Sequence, residues 1–304
     1  MKNKKKKFTA LKNGGGWLAA SGVVLAAIGP ATSTARAHGY VGDRFFPPTI
    51  QTDDPFAADE LALPTVTAWQ NQGETDVGFS FSKEILPQFA LTFAETYVLL
   101  SPEGMPTIGG FDNLSLNAKY QLWENVPHEA IFSVGSDWDV GGTGAKKIGA
   151  TSANVFTPKV YYGKGFGDLP SGLKYAKPFA LTGTLGVEFP TDGSPNNLDW
   201  AFALEYSLPY LQSQVKDVGL PRPFRDMIPL VEFALSTPFN HGGGQTTGTI
   251  NPGILYENNY FQLGAEAIIP ANSATGNRVG AVFQIQFYID DIWPRTFGHP
   301  LFGE

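Results

Sequence analysis

The stretch Arg278–Asp290 reads RVGAVFQIQFYID. Every second residue is apolar: Val279, Ala281, Phe283, Ile285, Phe287 and Ile289. Between them stand Arg278, Gly280, Val282, Gln284, Gln286, Tyr288 and Asp290. Successive side chains of a β-strand point to opposite faces, so this alternation describes a strand with two unlike faces. An ordinary soluble strand runs only ~5–6 residues. A strand this long, with hydrocarbon on one face and amides and charges on the other, matches the ~9–11 residues that cross a bilayer in a β-barrel.

The pattern recurs. DVGFSFS sets Val77, Phe79 and Phe81 against Gly78, Ser80 and Ser82. LSLNAKYQL, ALTGTLGVEF, WAFALEY, VEFALST and YFQLGAEAI repeat it, with Lys119, Glu188, Glu205, Glu232 and Glu266 on their polar faces. Segments 61–70, 89–100, 130–139, 154–162 and 247–257 are extended but less regular. Together they predict twelve strands, with 10 or 14 as alternatives. The connections alternate too. Gly-, Asn- and Thr-rich loops such as VGGTGAKKIGATSA and TPFNHGGGQTTG interleave with short ones such as KEILPQ and ENN, apart from two long connections at 163–178 and 209–226.

The fold expected is an all-β, closed, antiparallel up-and-down transmembrane barrel. Full charges in mid-strand suit a wet lumen and no dry core. Trp69, Tyr97, Trp123, Trp138, Tyr162, Trp200, Tyr256, Tyr288 and Trp293 fall near strand ends, where an interfacial girdle would place them. Closure is required, because an open edge leaves unpaired backbone groups in hydrocarbon at several kcal/mol each.

The rest of the composition agrees. Charged residues make up 16% of the chain, Gly and Pro number 35 and 23, and there is no cysteine. Thiolate chemistry and disulfides are thereby excluded. The N-terminus has a basic head (MKNKKKK), an apolar run at 17–30 and small residues Ala35 and Ala37. That order marks a secretory signal peptide over 1–37, cleaved between Ala37 and His38. The leader holds seven of the 21 basic residues and none of the 28 acidic ones, so the remainder carries a formal charge of −14. Nucleic acid is excluded as a partner on that balance. Segment 38–60, with Phe45, Phe46, Pro47, Pro48 and Ile50, is read as a periplasmic extension that folds inward as a plug or lies on the rim. The barrel follows over 61–291 and a C-terminal extension over 292–304.

The opening HGYVGDRFFPPTIQTDDPF and the close FQIQFYIDDIWPRTFGHPLF resemble the outer-membrane transporters named after the meta pathway of phenol degradation. That resemblance implies a Gram-negative outer-membrane barrel passing small solutes, aromatic ones among them. Outer-membrane lipid, the barrel-assembly machinery and a small-molecule solute are the partners expected. One departure is that about thirteen residues follow the last strand. Phe287, Tyr288 or Phe302 could serve as the terminal aromatic.

No covalent chemistry and no cofactor are expected. HGGG at 241–244 lacks a G-x-S-x-G partner. DWDVGG and GKGFGD lack the spacing of calcium and dinucleotide loops. The residues expected to line the pore are Glu95, Lys119, Lys159, Glu188, Glu205, Glu232, Glu266 and Arg278. They would either brace neighbouring strands or select solutes. Two further readings stand beside the channel. One is a secreted soluble β-protein binding copper through a mature N-terminal His38, whose amine and imidazole would chelate together. The other is a barrel serving only as a surface module.

Overall fold

The computed structural model describes residues 39–69 and 73–303. A small hairpin comes first, β1 (Tyr40–Val41) and β2 (Arg44–Phe45). The long strands follow: β3 (Glu60–Trp69), β4 (Glu74–Leu86), β5 (Phe89–Leu100), β6 (Ile108–Phe111), β7 (Leu114–Asn125), β8 (Ala130–Val140) and β9 (Val155–Gly165). Then come β10 (Phe179–Pro190), β11 (Asn197–Tyr206), β12 (Met227–Pro238), β13 (Thr247–Glu257), β14 (Phe261–Pro270) and β15 (Gly280–Tyr288).

Each long strand pairs antiparallel with its chain neighbour, and β15 returns to pair with β3. Both β6 and β7 pair with β5 and are interrupted only at 112–113, so they form one wall strand. The ring is therefore a closed barrel of twelve antiparallel strands, as the alternation predicts. Closure leaves no unpaired edge. With β6 and β7 taken as one, every wall strand has at least the 9 residues of β15, enough to cross a bilayer when tilted.

The opening stretch shows how the two faces sort. Gly280, Val282, Gln284, Gln286 and Tyr288 are buried, whereas Ala281 and Phe283 are exposed. Around the ring the polar set points in and the apolar set points out. Gln262 is 0% and Glu205 1% exposed, while Phe283 is 42% and Leu185 44% exposed. Phe79, Leu185, Phe261 and Phe287, which a soluble sandwich would gather into its core, belong to the outer face. Phe261 and Phe287 are cross-strand partners there. Exposed large apolar side chains recur on strand after strand, whereas soluble monomers rarely expose contiguous apolar patches above a few hundred Å². Tyr162 lies over Gly183 on this outer face, where an added Cβ would meet its hydroxyl at 2.2 Å.

Most girdle aromatics, including Tyr97, Trp123, Trp138 and Trp200, are on the outer face. Two are not. Tyr288 is 2% exposed and packs edge-on against Phe45, 6.3 Å between centroids. Trp69 pairs with Glu74 on the inner face. Both stand at strand ends with the parity of the polar set, and proximity to an end does not fix the face.

One end of the barrel carries the short connections 87–88, 126–129 and 258–260, and also the long connections 166–178 and 207–226. The long ones are elaborations of this turn end, built from 3₁₀ turns (Ser171–Ala176, Phe224–Asp226) and a helical segment at 208–215. The opposite end carries the loops 101–107, 141–154, 191–196, 239–246 and 271–279. After β15, a helical turn α1 (Ile289–Ile292) leads into a tail along the turn-end rim. Leu301 N and Phe302 N donate to Glu84 O and Ile85 O at 3.1 and 2.9 Å. Phe287 thus faces outward, Tyr288 faces inward, and Phe302 is exposed outside the ring.

Candidate functional site

Residues 39–58 occupy the lumen from the turn end. The hairpin β1–β2 lies across the mouth, and the chain beyond it runs inside before β3 begins. Two apolar contacts seat it. Val41, Phe46, Phe56 and Ala58 pack with Ile131 and Ala180 of the wall. Phe45 packs with Ile228, Leu230, Leu255 and Tyr288.

Polar contacts fix it further. Arg44, fully buried, donates from Nε to Glu129 Oε2 at 3.1 Å and from its two Nη groups to Pro178 O and Lys177 O at 3.1 and 2.5 Å. Its guanidinium lies 3.6 Å from the centroid of the Tyr210 ring. Tyr210 OH donates to Glu129 Oε1 at 2.7 Å, and Gly167 N to Glu129 Oε2 at 2.9 Å. Burial and the bond to Glu129 push the Tyr210 hydroxyl above its ordinary range. This cluster recruits residues from both long turn-end connections. Removing one partner of a buried ion pair costs ~3–5 kcal/mol, because the other is left uncompensated.

Deeper in, Glu232 accepts from Ile50 N and Gln51 N at 2.8 and 3.0 Å. Gln262 Nε2 donates to Pro48 O at 2.7 Å. Lys119 Nζ donates to Asp53 Oδ1 and Asp54 O at 2.8 and 2.7 Å. Ser133 Oγ donates to Pro55 O. Gly264 makes room for Ile50: a Cβ there would lie 2.7 Å from Ile50 Cδ1.

These seats fall on β7 to β14, with Tyr288 at the end of β15 added at the mouth. On the remaining side, a cavity of about 270 Å³ separates the plug from the wall. Ser80, Ser82, Thr92, Gln284, Gln286 and Glu60 line its outer side, with Asp53, Asp54 and Phe56 of the plug opposite. Above the plug, toward the loop end, Asp76, Asp137, Asp139, Glu188 and Asp199 share the inner face, with Lys159 ion-paired to Asp137. Asn197 Nδ2 donates to Glu188 Oε2 at 2.7 Å.

Six of the eight residues expected in the pore face the lumen: Lys119, Lys159, Glu188, Glu205, Glu232 and Glu266. Lys119, Glu205, Glu232 and Glu266 are buried around or beside the plug, whereas Lys159 and Glu188 belong to the open half above it. Glu205 accepts from Thr182 Oγ1 at 3.0 Å.

Glu95 does not join them. It pairs with Phe79 and shares its face with Leu91, Phe93 and Tyr97, so it stands on the outer wall. Arg278 precedes β15 in the 271–279 loop, exposed at the rim, since pairing of β15 starts at Gly280. Ala37 and His38, and with them the cleavage site and the copper chelate, lie outside the described residues. His128 is at the turn end, 3.1 Å from Asp168, and His241 is in the loop 239–246 at the other end.

Sequence reading missed Arg44, Glu129 and Tyr210. The trace they left is the GKGFGD stretch: an added Cβ at Gly165 or Gly167 would lie 2.2 or 2.1 Å from the Glu129 carboxylate. Those glycines serve close approach to a side chain.

No family model matches the chain, and no curated protein does. The likeness to the meta-pathway transporters therefore remains a resemblance.

Solved structures match the barrel only distantly.

A NanC porin is 9% identical, with 75% of this chain and 98% of that one covered and a TM-score of 0.47. A bacterial polysaccharide outer membrane secretin is 10% identical, covering 77% and 99%, with a TM-score of 0.41. LpxR from Salmonella typhimurium is 10% identical, covering 75% and 99%, with a TM-score of 0.42. At such identities and TM-scores, only the geometry of this barrel's own lumen bears on what it does.

Proposed function

We propose that the chain is an outer-membrane channel for small solutes, narrowed by its own N-terminal segment. The turn end would face the periplasm and the long loops the exterior. The observation that carries this reading is the lumen. A closed ring with an apolar exterior encloses a polar bore that the plug fills on one side only, leaving the cavity beside β3, β4, β5 and β15. No step of covalent chemistry is needed for such a role. The wall selects through width and charge.

The carboxylates Asp76, Asp137, Asp139, Glu188 and Asp199, against Lys159, favour cations over anions. The hydroxyl- and amide-lined cavity favours solutes bearing polar groups, so an aromatic substrate would be one with hydroxyl or amino substituents. Outer-membrane lipid would cover the apolar band, and the assembly machinery would insert it.

The test is planar-bilayer recording on the purified, refolded chain. The expected result is a small, cation-preferring conductance that rises when residues 39–58 are deleted. Recovery of the mature chain in the soluble periplasm, or a lumen that stays closed to ions after the deletion, would reject the reading.

A further inference from the structure

The seat of the plug on β12 to β14 contains a group of oxygens that protein contacts leave unsatisfied. Glu232 on β12 pairs in register with Asn251 on β13, and Gly253, two residues on, pairs with Glu266 on β14. All three side chains point into the lumen. Thr52 of the plug lies against Glu232, and Glu266 lies beside both Glu232 and Asn251. Burial is nearly complete: Thr52, Glu232 and Asn251 are 0% exposed and Glu266 is 4% exposed.

Yet both carboxylate oxygens of Glu266, both polar atoms of the Asn251 amide and the Thr52 hydroxyl lack a partner at hydrogen-bonding geometry. Buried polar atoms are normally satisfied, and each exception calls for an explanation. The ion pairs of the described residues involve other carboxylates; none engages Glu232 or Glu266.

We infer that this group holds a hard divalent cation of the calcium type, which pins the plug to the barrel wall. The donor set is right for it. Two carboxylates, an amide oxygen and a hydroxyl oxygen are hard ligands, with no imidazole or thiolate to favour a transition metal. Calcium takes 6–8 oxygens in flexible geometry. Glu266 offers two and Asn251 and Thr52 one each. Each Glu232 oxygen retains a lone pair beyond the one engaged by Ile50 N or Gln51 N. A proton shared between the two glutamates would satisfy that pair but leave Asn251 Oδ1 without a donor. A cation engages an oxygen of each of the four residues and balances the two negative charges. Because Thr52 comes from the plug and the other three from the wall, the ion bridges the two. Chelation would then free the plug, and divalent cation would act as a regulator of the channel.

The test uses the mature chain refolded in lipopolysaccharide-free detergent, stripped with EDTA and titrated calorimetrically with calcium chloride, then magnesium chloride. One calcium per chain is expected, weakened at least tenfold in Glu266→Gln. Thr52→Val, a change on the plug that leaves the barrel wall intact, should also weaken binding and should raise cleavage of residues 39–58 by added protease. Three results would overturn the inference: no divalent binding by the wild-type chain, equal binding in wild type and Glu266→Gln, or loss in Glu266→Gln with full binding in Thr52→Val. The last would exclude the plug from the site.

Discussion

The two sides of the lumen make opposite use of the same architecture. Along β7 to β14 the wall grips: Lys119, Ser133, Glu232 and Gln262 each hold a backbone or carboxylate group of the plug, and Ile131, Ala180, Ile228 and Leu255 pack against its apolar side chains. Along β15, β3, β4 and β5 the wall stands off, and its small hydroxyls and amides face a cavity. Both sides are polar by the same alternation. The difference is distance. The plug lies close enough to the gripping wall for Ser133 to bond it, whereas the cavity separates it from Ser80, Ser82 and Thr92. Occlusion is thus a matter of which side of the bore the plug lies against.

The largest effect should come from the latch at the mouth. Arg44→Ala leaves Glu129 buried with Tyr210 and the Gly167 amide but no cation, a loss of ~3–5 kcal/mol in seating the hairpin. Conductance should rise severalfold, and residues 39–58 should become protease-sensitive, with the barrel itself still migrating as a folded species on unheated gels.

Gly264→Val comes next. The new Cβ meets Ile50 Cδ1 at 2.7 Å, and overpacking of this kind costs ~1–3 kcal/mol. Its plug should loosen, while a matched enlargement on the opposite side, Ser82→Val, should narrow the cavity and lower conductance. Opposite signs for the two would sharpen the contrast between the gripping and free walls; equal signs would break it.

The charge on the open half is subtler. Glu188→Gln with Asp199→Asn should reduce cation preference, read as a reversal-potential shift in a salt gradient. The shift should fade at high ionic strength as screening shortens.

The smallest effect is one of pH. Burial, then the nearby Glu257 and Asp291, push the Tyr40 phenol up to about 12 from its ordinary 10.0. A value raised in the folded state favours the neutral phenol there. Its contribution is full below pH 10 and lost as pH rises through about 12. Hairpin protection should therefore decline across that window, and less so in Tyr40→Phe.

Much of this ring was legible in the sequence because a period of two survives any register, and lipid forces the apolar set outward. Face assignment failed where charge was set above parity, or where the alternation outran the strand. In FALTFAETYVLL, Glu95 alternates with Leu91, Phe93 and Tyr97, so parity alone puts it outside. Charge suggested the lumen, and parity won. Arg278 continues the alternation of β15 past the point where hydrogen bonding begins. The latch was illegible for another reason. Arg44 and Glu129 are 85 residues apart, and Glu129 and Tyr210 are 81 apart. No local pattern encodes a meeting set by the closure of the ring.

The plug runs without interruption into β3, the strand on which β15 closes the circle. Its grip runs over β7 to β14, an arc that includes β10, opposite β3 in the ring. The molecule therefore carries a tie across its own diameter, anchored covalently at the seam and non-covalently at the far arc. A hoop so tied resists being squeezed into an oval, and thinning or crowding of the surrounding bilayer would be felt first as tension on Glu232 and its partners.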